Sequence, residues 1–195
     1  MSNTEGFWSG EFGDDYHKRN RVDYRDRLPF WQSAVQYTEP RSVLEIGCGP
    51  GWNLLALREV QPTLDLYGIE INEGAVAEAR SNNLKVDHGT FDTAKAMYEP
   101  GAVDLVFTSG VLIHVAPDDL DRCMNAMIEI SGRYVMAIEY DADREVPRVY
   151  RGHDDKLWAR PYGKLLEKKG LKLLSEGMAG GWESATYYLL EKAQT

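Results

Sequence analysis

The sequence predicts one α/β domain whose sheet is mostly parallel and closes with a C-terminal antiparallel hairpin. Three observations carry this. From Arg41 onward, short apolar runs alternate with segments of helical periodicity. A glycine-rich turn, Gly47-Cys48-Gly49-Pro50-Gly51, lies directly between the first such run and the first such helix. The last two strand-like runs have no helix between them, so they cannot be parallel neighbours.

The elements follow in order. Ser42 to Ile46 is a buried strand, and Trp52 to Val60 is an apolar-periodic helix stopped at Pro62. Leu66 to Ile71 is the second strand, followed by an alanine-rich helix over Ala75 to Arg80 that ends at Asn82-Asn83. Val86 to His88 makes a short third strand and Val103 to Thr108 the fourth. Pro117-Asp118-Asp119 opens a helix to about Ile130, with proline and acids in its first turn. Tyr134 to Glu139 is the fifth strand. Residues 141–155 read as a long loop, and Leu157 to Lys169 as a helix stopped by Gly170. Leu171 to Leu174 and Thr186 to Leu190 complete seven strands, joined by a loop with Gly177, Gly180 and Gly181. Residues 1–40, polar and aromatic, read as a cap or arm on the domain formed by residues 41–195.

Composition narrows the function. A chain of 195 residues with 43% hydrophobic residues supports one core and leaves no room for two ordinary domains. The formal charge of -9 gives no positive field for a nucleic acid, which favours a small-molecule partner. No apolar run reaches the span of about 18 residues that a bilayer requires, and the first residues lack the order of a signal peptide, so the expected location is cytoplasmic. Cys48 and Cys123 have no zinc-type spacing, and no metal ligand set is expected. The sequence assigns no oligomeric state.

The glycine turn carries the chemistry. Gly47, Gly49 and Gly51 follow a strand and precede a helix, where a missing Cβ lets backbone approach a ligand. A dinucleotide fingerprint spaces its glycines G-x-G-x-x-G. Here the spacing is G-x-G-x-G, with Glu45 two positions ahead of it. Glu70 ends the second strand, where a carboxylate can accept both hydroxyls of a ribose.

Residues 43–53 and 66–71 together resemble motifs I and II of class I S-adenosylmethionine-dependent methyltransferases, a Rossmann-like fold. The resemblance implies S-adenosylmethionine as cofactor. Gly47, Cys48 and Gly49 then present backbone groups to its methionine part, Glu45 anchors the amino end, and Glu70, beside Ile71, holds the ribose. It also places adenine at Gly89-Thr90-Phe91-Asp92; Thr90 stands where that family often has Asp, so either Thr90 substitutes for it or Asp92, the favoured acceptor, reaches in, with Phe91 as an apolar wall. Ser109 and Gly110 fall beside the sulfonium. Two alternatives stay open: a non-catalytic S-adenosylmethionine-binding regulator or scaffold, and a nicotinamide-dependent oxidoreductase.

Three segments resemble a narrower family, the pseudaminic acid biosynthesis-associated methylases: Phe7 to Tyr16 with Arg19-Asn20, Phe107 to His114, and Tyr150 to Arg160. Residues 177–184 form a shorter stretch than that family's, so its acceptor does not transfer with the resemblance. Related arms fold over the cofactor, which assigns Tyr16 and Asn20 to cofactor contact. His114, able to take a proton near neutrality, is the first catalytic candidate. Glu139 is a second possible base, and Tyr140 could orient the acceptor. Arg144, Arg148, Arg151 and Arg160, with His153, concentrate positive charge in one loop of an acidic chain. Guanidinium forks suit carboxylate or phosphate. The expected acceptor is therefore a small anion, such as a sugar acid, a nucleotide-linked sugar or an amino acid derivative. Arg151 or Arg160 would hold it, under a lid containing Tyr16, His17 and Arg19.

Overall fold

The computed structural model describes residues 3–193. Its strands are β1 (Ser42–Ile46), β2 (Asp65–Glu70), β3 (Lys85–His88), β4 (Val103–Ser109), β5 (Ser131–Glu139), β6 (Val146–Pro147), β7 (Trp158–Ala159), β8 (Lys172–Met178) and β9 (Thr186–Glu191). Seven form one sheet in the order β3-β2-β1-β4-β5-β9-β8, and β6 pairs with β7 apart from it. Strands β1 to β5 are parallel, while β9 runs antiparallel to both β5 and β8. This is the predicted mostly parallel sheet with its terminal hairpin.

Both faces are buried because successive side chains point to opposite sides. Along β5, Val135 and Ala137 join one core while Tyr134, Met136 and Ile138 join the other. Helices α6 (Phe91–Met97), α7 (Pro117–Ile130) and α8 (Tyr162–Glu167) cover the first face. Helices α3 (Leu28–Thr38), α4 (Trp52–Val60) and α5 (Glu73–Ser81) cover the second. Two short helices, α1 (Asn3–Ser9) and α2 (Glu11–Arg19), lie at the carboxyl edge of the sheet, where Trp8, Tyr16 and His17 border its main cavity.

Several expectations need correction. The predicted arm of residues 1–40 is too long: Trp31 of α3 is fully buried against Phe107 of β4, at 4.7 Å between ring centres, so α3 belongs to the core. Residues 1–2 and 194–195 of the predicted segments lie outside the described residues. The helix expected from Leu157 starts only at Tyr162, because Trp158–Ala159 pairs with Val146–Pro147 as β7 and Pro161 separates the two. It also ends earlier than expected, at Glu167 with Lys168 as its C-cap, and Gly170, at φ +90°, lies in the turn beyond. Helix α6 was not predicted. Thr90 starts it through a reciprocal capping box with Thr93, a pairing that seven residues of weak periodicity leave hard to read. Gly177 lies within β8 rather than in the loop.

Candidate active site

The strand order reverses between β1 and β4, and ligands of open α/β sheets bind at the carboxyl ends beside such a switch point. A cavity of about 460 Å³ opens there. Glu45, Glu70, Ser109 and Glu139 stand at the carboxyl ends of β1, β2, β4 and β5 and line it.

The glycine turn takes the left-handed conformation at Gly47 (φ +75°), Gly49 (φ +54°) and Gly51 (φ +87°). Side chains would also be crowded: a Cβ on Gly47 would meet Val111 at 2.5 Å, and one on Gly51 would meet Leu84 at 2.3 Å. Gly51 is the N-cap of α4 and supports the turn from behind the cavity wall. The N–H groups of Gly47 and Cys48 donate to the Ile69 carbonyl at 2.7 and 3.1 Å, and that of Gly49 donates to Glu70 Oε2 at 2.7 Å. The expected presentation of backbone groups is thus narrowed. With these three donors used, the start of the turn suits an ammonium better than the pyrophosphate of a dinucleotide, which needs N–H donors.

Beneath the turn, Glu45 is 1% exposed. Its Oε1 accepts from Asn53 Nδ2 at 2.6 Å, and its Oε2 has no partner. Burial pushes its pKa up to about 8 against the opposing effects of Asn53 and Arg27. Arg27 donates through Nη1 to the oxygen of the same Asn53 amide at 2.9 Å and lies over the Trp182 ring at 4.4 Å. Its buried Nε has no partner. An unpartnered acceptor and an unpartnered donor therefore flank one amide. Arg27, Asn53 and Trp182 all line the cavity, and sequence reasoning missed them. Asn53 carried a weak signal, being eight positions after Glu45 at the start of a helix; Arg27 and Trp182 come from distant segments and carried none.

At the other end, Glu70 accepts from Gly49 N–H and, through Oε1, from Asn72 N–H at 2.8 Å. Burial raises its pKa. Each oxygen keeps a second lone pair for a ligand hydroxyl. Ile71, Thr90 and Phe91 continue the wall. Asp92 does not: it is exposed and accepts from Arg122 Nη1 at 2.5 Å, because α6 turns its side chain outward. Arg122 and Asp119 line the cavity in its place.

Ser109 and Gly110 line the cavity, and Ser109 Oγ accepts from Trp182 Nε1 at 2.9 Å. His114 sits between Trp8 and Tyr150, at 4.5 and 4.9 Å between ring centres. Its Nδ1–H donates to the Lys156 carbonyl at 2.6 Å, and burial lowers its pKa to about 4. The ring is therefore neutral, with Nε2 as an acceptor. Tyr140, half-buried, lines the same space, and burial raises its pKa.

Glu139 requires correction. It is fully buried and accepts from Thr108 Oγ1 (2.8 Å) and from the N–H groups of Val111 (3.2 Å), Leu112 (3.1 Å) and Ile113 (3.2 Å). Four bonds hold it as the anchor of the turn after β4, not as a base facing an acceptor. Arg160 is also structural: it is fully buried and donates to Glu145 (2.7 Å) and to the carbonyls of Leu112 and Val115 (both 2.9 Å). Arg19 lies over Phe12 at 5.1 Å, and His153 packs against Phe7 at 4.9 Å between ring centres; neither lines the cavity. Arg144 and Arg148 are exposed away from it. Arg151, Tyr16, His17 and Asn20 do line it. Arg151 stands at the tip of a tight turn at φ +51°, a conformation unusual for a side-chain-bearing residue. Among the described residues no cluster of three or more His, Cys, Asp or Glu could hold a metal ion, and no helix is long and apolar enough to cross a membrane.

Residues 43–131 match a family model described as a methyltransferase domain. Malonyl-[acyl-carrier protein] O-methyltransferase of Legionella pneumophila is 27% identical over 122 residues, which cover 57% of this chain and 43% of that protein. Trans-aconitate 2-methyltransferase of Variovorax paradoxus is 28% identical over 134 residues, covering 67% of this chain and 51% of that protein. The chain thus spans about half the length of these relatives. Magnesium protoporphyrin IX methyltransferase from Synechocystis PCC 6803, solved with bound S-adenosylmethionine, superposes with a TM-score of 0.71 at 16% identity, over 99% of both chains. Burkholderia thailandensis 1,6-didemethyltoxoflavin-N1-methyltransferase superposes with a TM-score of 0.74 at 11% identity, over 100% of this chain and 92% of that one. These two structures establish the fold, which is the Rossmann-like class I methyltransferase fold. Residues 43–131 are thus similar to a methyltransferase domain, set in a sheet of the same fold.

Proposed function

We propose that this protein transfers the methyl group of S-adenosylmethionine to a small anionic acceptor. One observation carries the reading: the unpartnered Glu45 Oε2 and Arg27 Nε flank one Asn53 amide, while Glu70 stands at the opposite end of the glycine turn. That arrangement offers an acceptor for an ammonium, a donor for a carboxylate and a carboxylate for a ribose. Phe91 and Thr90 supply the adenine wall, with Arg122 and Asp119 nearby in place of Asp92.

Bound S-adenosylmethionine supplies a methyl group already activated on a sulfonium, so alignment can provide most of the catalysis. The chain's own groups align the acceptor, exclude water and receive a proton where one leaves. Neutral His114 presents Nε2 to a hydroxyl or N–H, and Tyr140 orients the acceptor. Arg151 provides a fork for its anionic group, and Tyr16, His17 and Asn20 close the cavity.

Methyl transfer to a panel of sugar acids, nucleotide-linked sugars and amino acid derivatives, followed by mass spectrometry, tests this. Arg151→Ala should raise the acceptor KM about tenfold, the loss of one charge-assisted contact, with S-adenosylmethionine affinity unchanged. Unaltered acceptor KM would remove the anion-binding role. Tight cofactor binding without any turnover would favour a binding-only regulator.

A second expectation concerns Glu45. With a pKa of about 8 it is largely protonated at neutral pH, and an arriving ammonium favours the carboxylate. Cofactor binding should release a proton near pH 7 and tighten as pH rises toward 8, beyond which the release fades. Calorimetric enthalpies near pH 7 should vary with buffer ionisation enthalpy in the wild type and not in Glu45→Gln. Identical enthalpies across buffers in the wild type would show that Glu45 does not meet the ammonium.

A further inference from the structure

We propose that Asn72 is a positioning residue that clasps the N-terminal arm, α1 and α2, shut over the ribose end of the cofactor site. The inference rests on the S-adenosylmethionine reading and goes beyond it in assigning control of cofactor release to one amide.

Asn72 is 1% exposed and makes three contacts at once. Its backbone N–H holds Glu70 Oε1 at 2.8 Å, which fixes the ribose carboxylate from outside the cavity. Its side-chain oxygen accepts from Ala75 N–H at 2.9 Å and caps α5. Its side-chain nitrogen donates to Asp14 Oδ1 on α2 at 2.7 Å. Capping alone would be met equally well by Asp or Ser. A hydroxyl has a single oxygen for both tasks, whereas the amide gives the helix an acceptor and the arm a donor on two separate atoms.

The arm is shaped for this contact. Gly13, next to Asp14, is buried, and a Cβ there would lie 1.9 Å from the Trp8 carbonyl and 3.0 Å from Asn72 Nδ2. A glycine thus lets α2 fold back on α1 and lets the amide reach its carboxylate. One turn further on, the His17 ring lies 3.5 Å from where a Gly49 Cβ would stand, over the glycine turn. Arg21 pairs with Glu78 of α5 and extends the seam past the end of α2. Opening the arm therefore strips the partner from a buried amide that shares a residue with the holder of Glu70, so arm closure and ribose binding are coupled.

The test is the release rate of S-adenosylhomocysteine, followed by tryptophan fluorescence in stopped flow. Asn72→Asp keeps the cap but sets a carboxylate against Asp14, and Asn72→Ser keeps the cap while its one short hydroxyl cannot also reach Asp14. Each should speed release about fivefold to tenfold, the loss of one hydrogen bond to a charged group. Tryptic cleavage at Lys18 and Arg19 should quicken in parallel. Asp14→Asn combined with Asn72→Asp reverses the donor and acceptor, and release should return to within about twofold of wild type, as coupled neighbours do. Wild-type rates in Asn72→Asp, or fast release that the exchanged pair fails to correct, would overturn the clasp while leaving the cofactor reading intact. Failure of the wild type itself to bind S-adenosylhomocysteine would overturn the cofactor reading, and the clasp with it.

Discussion

Glu70→Ala should weaken binding of S-adenosylmethionine and S-adenosylhomocysteine by at least about a hundredfold, with both ligands affected alike. The carboxylate has two oxygens, each fixed by one backbone N–H and each with a lone pair left for a ribose hydroxyl. Two charge-assisted bonds at about 1.5 to 3 kcal/mol each set the scale of the loss. The substitution also orphans the N–H groups of Gly49 and Asn72, so the glycine turn and the start of α5 lose their common tie. Glu70→Gln should recover little, because its amide nitrogen must confront one of those N–H donors. Calorimetric titration reads both variants. Binding within a few-fold of wild type in Glu70→Ala would mean that the ribose is held elsewhere, and the orientation of the ligand in the cavity would have to be reversed.

The contrast between Glu70 and Asp92 shows what was legible. Glu45, the glycines and Glu70 could be read because each lies at the end of a strand whose apolar pattern is plain, so topology alone brings them to one edge. The seven strands and the antiparallel end of the sheet were legible for the same reason. Asp92 could not be placed, because whether it faced the cavity depended on α6, whose capping box is stronger than its apolar periodicity. Arg27 and Trp182 reach the site from α3's leading edge and the β8–β9 connection, and no local pattern announces a stacked pair made across so much chain. Arg160 looked like an anion reader because charge counts do not see burial. Its guanidinium instead satisfies two carbonyls of the turn that carries His114. The arm's length was misjudged because aromatic residues near the start serve two purposes. Trp31 fills the core and Trp8 borders the cavity, and composition does not separate them.

The same turn supplies the other large effect. Glu139→Ala should destabilise the protein by about 4 kcal/mol, since one hydroxyl and three backbone N–H groups lose their acceptor in a fully buried place. For a chain of this size the thermal midpoint should fall by on the order of 10 °C. Cofactor affinity should fall as well, because Val111 packs where a Gly47 Cβ would be and the turn leads into His114. Glu139→Gln should recover about half, as it keeps one oxygen but turns an amide nitrogen toward an N–H donor. Stability should also depend on pH through this carboxyl group. Burial lifts Glu139 from its ordinary 4.5 to about 7, so the folded state holds a proton that the unfolded state has lost. Its stabilising contribution is complete below about 4.5 and disappears as pH rises through about 7. The wild-type midpoint should therefore decline between about pH 5 and pH 8, with Glu45 adding to the fall, and the slope should shrink in Glu139→Gln. A catalytic base would behave otherwise: Glu139→Gln would lose turnover while keeping the wild-type midpoint. Thermal midpoints and turnover of both variants decide between the two roles, because only an anchor gives up several hydrogen bonds of the folded state when it is replaced.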